Sequence, residues 1–445
     1  YLQQGNISLV LEALHERGLL IHNAPHLVSH QSFIVPSYEW WEGPFYGVGL
    51  KVYDLLAGKL GLAPSRRLSR EETLSRIPTL EPKGLRGGVM YYDGQFDDAR
   101  LAISLALTAA DHGAVLLNYM KVVELRKSGG VIEGVKAEDR ESGRIYEIPG
   151  RVVINATGVF ADTILQMDDP EARRIIAPSQ GVHLVLDKAF LRSDSAILVP
   201  HTADGRVLFA VPWHGRVVVG TTDTPVETPS LEPLPFEEEI DFILEHAARY
   251  LTRDPTRADV LSMFAGLRPL VSPEGQRDTA EISRDHHLVV SSSGLVTIAG
   301  GKWTTYRKMA EDTVDQAILV GDLPERPCGT RNLPIHGWKK PVNWHDPRHV
   351  YGTDAGAIEA LVRQQPELGE LLHPRLPYLK AEVIHAVRRE MARTVEDVLS
   401  RRTRALLLDA RAAMEAAPTA ARLMAEELGW PPEKAEQEVE MFCTL

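Results

Sequence analysis

The chain is predicted to be α/β, with two strand-rich regions and an all-α C-terminal domain. Three observations lead there. Buried-type strands run into small-residue turns at two distant places, "RVVINATG" (151–158) and "LVTIAGGK" (295–302). Between them, from about 181 to 224, lies a block of short strand-like runs. Beyond about residue 350 helical periodicity takes over.

The composition bounds the class. At 445 residues two or three domains are expected, and 44% hydrophobic with 25% charged residues is ordinary for a globular protein. A net charge of −12 argues against nucleic acid as a partner, because phosphate backbones need a basic face. Cys328 and Cys443 lack metal-ligand spacing, so no metal is expected, and so few cysteines fit a reducing compartment. No apolar run reaches 18 residues, the length a membrane-spanning helix needs.

The elements follow in order. Residues 1–35 read as a helix and then an extended segment, "HLVSHQSFIVP". Tyr38, Trp40, Trp41, Phe45 and Tyr46 crowd ahead of a helix at 48–60 that carries Lys51 and Lys59. "DDARLAISLALTAADHG" (97–113) is a helix opened by Asp97 or Asp98 and stopped at Gly113. "AVLLNY" reads as a strand, and "KVVELRKSGGVIEGVKAED" as a hairpin turning at Gly129–Gly130. Residues 236–251 are helical, strands return at 258–299, and a helix over 303–320 ends at Gly321. The Pro-rich "GDLPERPCGTRNLPIHGW" reads as a linker.

"GGKWTTYRKMA" (300–310) sets bare backbone and a lysine at a helix N-terminus. Outward N–H groups and missing side chains make such a turn an anion or cofactor cradle. A plain strand-to-helix turn explains it equally well when it is taken alone.

The motifs together resemble a known family. "YYDGQFDDARL" (91–101), "NATGVFAD" (155–162), "VGTTDTP" (219–225), "AGLRPL" (265–270), "ISRDH" (282–286), "GGKWTTYRKMAED" (300–312) and "REMARTVEDVLSRRTR" (389–404) occur in that order. The chain is similar over nearly its whole length to FAD-dependent glycerol-3-phosphate dehydrogenases. The resemblance implies an α+β two-domain flavoprotein of the glucose-inhibited, D-amino-acid-oxidase-like type, with FAD as cofactor and glycerol 3-phosphate as substrate. It also implies membrane quinone as acceptor, a peripheral place on the cytoplasmic face of the inner membrane, and a homodimer among the expected assemblies. The implied division is an FAD-binding domain over 1–180 with substrate-domain segments interleaved. A substrate domain follows over 181–290, then a return to the FAD domain over 291–325, a linker at 326–349 and the helical domain at 350–445. One departure is large. The G-x-G-x-x-G that opens the family is absent, and "GVGLKV" (47–52) follows no strand. The chain is therefore expected to be a fragment that lacks the first βαβ unit and binds FAD weakly.

Residue roles are implied by the same match. Arg268 and Arg284 would hold the phosphate, since a guanidinium pairs with it in a fork and stays charged. Lys302 would steady the phosphate, the developing alkoxide or the reduced flavin. His183 is the candidate base, its side chain titrating near operating pH. Tyr1 matches a substrate-contacting tyrosine. Ala156, Thr157 and Gly158 would lie along the FAD ribose or pyrophosphate, and Gly300, Gly301, Lys302, Trp303 and Thr304 along the flavin. Three rivals are weighed: an oxygen-using glycerol-3-phosphate oxidase, whose long insertion is not found here, a related FAD amine oxidase, and a non-catalytic binding module. Retention of four charged or titratable site residues speaks against the last.

Overall fold

The computed structural model describes residues 7–57, 62–199, 207–272 and 285–445. A nine-stranded sheet forms the larger body. Its order is Thr224–Pro225, Ile176–Asp187, Arg216–Gly220, Leu208–Trp213, Ala196–Val199, Val28–Ser37, Gly87–Phe96 and Arg66–Ser69, with Val260–Val271 also paired to Ile176–Asp187. Strand Ile176–Asp187 reads as an apolar run because it is covered on both faces, Val182, Leu184, Val185 and Leu186 all being buried. Helix Glu237–Ala248 supplies one cover, packing Ile240, Ile243 and Leu244 into the same core as Leu184 and Leu186.

A second sheet of three strands joins His286–Val290, Leu295–Gly300 and Val153–Asn155. Its last two strands run parallel, with Leu295 opposite Val153 and Thr297 opposite Asn155. The third sheet is a meander of Met120–Ser128, Val131–Asp139 and Ile145–Pro149. Its hairpin turns at Gly129–Gly130, both at positive φ.

Two sequence expectations shift. Residues 114–119 form no strand, since Val115 and Leu117 face solvent and have no sheet to cover. The helix expected at 48–60 starts earlier, spanning Glu42–Ala57, so "GVGLKV" lies inside a helix. Residues 1–6, 58–60, 200–206 and 273–284 of the expected elements lie outside the described residues. The helix Asp98–Asp111 is capped by the Asp97 carboxylate, which accepts from the Arg100 N–H at 3.0 Å. Beyond the Trp303–Thr305 turn, helix Tyr306–Val320 runs to Gly321.

The helices Ala355–Gln364, Lys380–Arg389, Ala410–Leu428 and Pro432–Cys443 share a core that also takes in Leu20, Leu27 and Leu101. The Pro-rich stretch before them is packed down. Asn23 Nδ2 donates to the carbonyls of Thr330 and Arg331 at 3.3 and 3.1 Å, and Ile335 is buried. Among the described residues no helix is long and apolar enough to cross a membrane.

Candidate active site

Two glycine turns leave the same end of the parallel strand pair. After Val153–Asn155 comes Ala156-Thr157-Gly158, and after Leu295–Gly300 comes Gly301-Lys302. Each leads through a 3-10 turn into a helix, which puts both at the carboxyl edge where such sheets bind ligands. Gly158, Gly300 and Gly301 have φ of 60°, 73° and 79°, a region side chains avoid. A Cβ on Gly300 would stand 2.9 Å from the Asp285 carbonyl, and one on Gly301 would press on the Met309 sulfur. Nothing lies within 4 Å of a Cβ built on Gly158, so that turn faces open space. Buried Asn155 holds the first turn: its amide donates to the Ala161 carbonyl at 3.0 Å, and its oxygen accepts from the Thr157 hydroxyl at 2.7 Å.

Beside the second turn lies a cavity of about 1170 Å³, bordered by His183, Arg268, Gly300, Gly301, Lys302, Trp303 and Thr304. All seven were marked from the sequence. Ala156, Thr157 and Gly158 do not border it; they stand along the neighbouring strand end, where a long dinucleotide would continue. Tyr1 and Arg284 lie outside the described residues.

His183 and Arg268 come from neighbouring strands of the large sheet. Arg268 Nη1 donates to Asp223 Oδ1 at 3.2 Å, and Nη2 donates to the Thr221 hydroxyl and the Thr222 carbonyl at 3.1 and 3.0 Å. Asp223 also accepts from Ser179. The His183 ring stacks on Phe264, with centroids 5.1 Å apart. Glycines make the room. A Cβ on Gly181 would overlap the Arg268 guanidinium, and one on Gly220 would overlap the His183 ring. The expectation that His183 titrates near neutral pH is corrected: burial, and then the Arg268 charge, lower its pKa to about 4. The imidazole is neutral over the physiological range.

The C-terminal domain closes one wall through Arg404 and Leu407. Arg404 Nε donates to both Asp97 carboxylate oxygens at 3.0 Å, and its guanidinium also pairs with Asp98. Burial alone would raise the Asp97 pKa, but Arg404 and His214 hold it well below the usual carboxylate range. One step away, Arg100 makes a bidentate pair with Glu390 at 2.7 and 2.9 Å. "DDAR" and "RRTR" are thus two halves of one buried contact. The charge at Asp223 and the space at Gly181 and Gly220 went unassigned in the sequence. The signal available was "GTTD", quoted as a motif without a role for its members.

Residues 1–307 match the family described as FAD dependent oxidoreductase, and residues 295–435 match the C-terminal domain of alpha-glycerophosphate oxidase. The chain belongs to the FAD dependent oxidoreductase family, with that family's FAD-binding fold of mixed sheets and helices and a helical C-terminal domain. FAD is the cofactor of this class, and the open, glycine-built turns fit it.

Proteins similar to this chain include several glycerol-3-phosphate dehydrogenases. It is 40% identical to the mitochondrial enzyme of Macaca fascicularis over 97% of this chain and 63% of that one. The mitochondrial enzyme of Schizosaccharomyces pombe is 37% identical, over 96% and 75%. The glycerol-3-phosphate dehydrogenase of Bacillus halodurans, solved with FAD, superposes with a TM-score of 0.80 at 30% identity over 96% and 84%. The chain thus spans less than two thirds of the length of the first of these.

Proposed function

We propose that the protein oxidises glycerol 3-phosphate to dihydroxyacetone phosphate with FAD. The observation that carries this reading is one cavity that gathers a fixed arginine, a neutral histidine and a lysine beside a glycine turn. Bound FAD supplies the acceptor for the hydride that leaves C2. Gly300, Gly301, Trp303 and Thr304 would hold its ring, and Ala156-Thr157-Gly158 its ribose or pyrophosphate.

The chain's own groups do the rest. Arg268, oriented by Asp223, the Thr221 hydroxyl and the Thr222 carbonyl, takes the phosphate dianion in a charge-assisted fork. His183 takes the proton of the C2 hydroxyl, and the arriving phosphate offsets the Arg268 charge that had lowered its basicity. Lys302 adds positive charge where the alkoxide forms. Arg404 and Leu407 keep water from that side.

The reading extends to a membrane quinone as acceptor. Trp40 and Trp41 just ahead of helix Glu42–Ala57, and Phe45, Val48, Val52 and Leu55 on it, make an exposed apolar stripe next to Lys51, Arg66 and Arg67. That pattern suits a helix lying in a membrane interface. Trp40→Ser with Trp41→Ser is expected to release the full-length enzyme from anionic lipid vesicles while its dye-linked activity stays; unchanged sedimentation with vesicles would remove the stripe from the account. The central test is anaerobic. Glycerol 3-phosphate should bleach the visible flavin absorbance of the full-length protein, and glycerol should not. No bleaching would overturn the assignment.

A further inference from the structure

Glu239 lies on helix Glu237–Ala248, outside the cavity and nearly fully buried. A carboxylate in such a place needs partners, and four donors converge on this one. Oε1 accepts from the hydroxyls of Thr222 and Thr224 at 2.7 and 2.6 Å, and Oε2 from Gln180 Nε2 and the Phe236 N–H at 2.8 and 3.0 Å. The Thr222 hydroxyl in turn accepts from the Val182 N–H at 3.0 Å, one residue before His183. The Thr222 carbonyl receives Arg268 Nη2, and the adjoining Asp223 receives Nη1. Thr222 therefore links the two groups: its side chain is held by the buried carboxylate on the outer helix and its carbonyl holds the arginine in the cavity.

We propose that Glu239 is a positioning residue for substrate: through Thr222 it fixes the turn that aims the Arg268 guanidinium. This rests on Arg268 being the phosphate ligand. Nothing in the arrangement touches the hydride or the C2 proton, so the effect falls on binding. An amide is a poorer partner than the carboxylate: with its oxygen toward Gln180 and Phe236, its nitrogen would meet two hydroxyls that must turn round to accept and so lose their own acceptor.

The test uses the full-length, flavin-loaded enzyme. Glu239→Gln is expected to raise KM for glycerol 3-phosphate about tenfold and to weaken competitive inhibition by inorganic phosphate in parallel, with kcat within about twofold. Thr222→Val, which removes one hydroxyl at constant shape, should reproduce the KM effect, and Thr222→Ser should restore it. Arg268→Ala is the control. If it raises KM while folded Glu239→Gln and Thr222→Val leave KM and phosphate inhibition unchanged, the positioning role is overturned and the phosphate ligand stands. If Arg268→Ala itself leaves both constants unchanged, the assignment of Arg268 fails. A Glu239→Gln that lowers only the melting temperature also overturns the proposal, as does a KM effect that persists at full size in the Arg268→Ala background.

Discussion

In the proposed reaction His183 and Arg268 divide the work at the wall of one cavity, and their chemistry separates in a kinetic experiment. With Arg268 proposed to hold the phosphate in ground and transition states alike, Arg268→Ala should chiefly raise KM. Loss of one charge-assisted, partly dry contact is worth roughly 1.5–3 kcal/mol, about ten- to a hundredfold. His183→Ala removes a proton acceptor needed only as the reaction proceeds, so kcat should fall roughly 10²–10⁴-fold. The pH profile carries the sign. Burial and the neighbouring guanidinium put the His183 pKa at about 4 in the free enzyme, so the acidic limb of kcat/KM is expected there rather than near 6.5. Removing the Arg268 charge should move that limb toward higher pH. An acidic limb that persists unchanged in His183→Ala would show that another group accepts the proton. Both residues were legible in the sequence only through their motifs. The glycines that admit them were not, because Gly220 faces His183 through strand register and Gly181 meets Arg268 across the sheet.

At the scale of elements, the turn after strand Leu295–Gly300 is the most informative piece. Strand, glycines and helix were read correctly because each signal is local: an apolar run, two residues without side chains, then helical spacing. Residues 114–119 failed the same kind of reading. Their apolar run is as strong, but no strand lies beside it to pair with, and sequence alone does not show which neighbours exist. Gly301 gives an element-level prediction. At φ 79°, and with a Cβ driven against Met309, Gly301→Ala should lose about 1–2 kcal/mol from backbone strain alone. Calorimetric melting and FAD titration by flavin fluorescence should both register it. A variant with unchanged melting and FAD affinity would show that the turn tolerates a side chain. Helix Tyr306–Val320 is further anchored by Arg307, which forms a bidentate pair with Glu16 of helix Ile7–Asn23 at 2.7 and 2.8 Å.

Across the whole molecule, the helical domain is held to the cavity by buried ion pairs rather than by apolar contact alone. Breaking one partner of such a pair strands the other in a dry site, so Glu390→Ala should destabilise the protein by about 3–5 kcal/mol in denaturant titration. Burial alone would raise the Glu390 pKa, yet Arg100 and His385 hold it at about 2, below its unfolded value near 4.5. Its contribution is therefore complete above about pH 4.5 and is lost as pH falls toward 2. Acid titration followed by tryptophan fluorescence should show the wild type weakening over that window and Glu390→Ala without that component. These long-range pairs could not be read beforehand, since "DDAR" and "RRTR" stand about three hundred residues apart and each looks like a solvated charge run.

That separation also orders events during synthesis. Arg100 leaves the ribosome 290 residues before Glu390 does, about 15–60 s earlier at ordinary elongation rates. Until then Arg100 lacks its carboxylate partner and Asp97 lacks Arg404, so the wall they share with the reaction chamber cannot close. The nascent chain can assemble its sheets early, but that wall stays open until residues 390–404 emerge. A message truncated before them would yield an open, water-filled cleft in place of a working chamber, and the cell would meet that product as a substrate for its quality control.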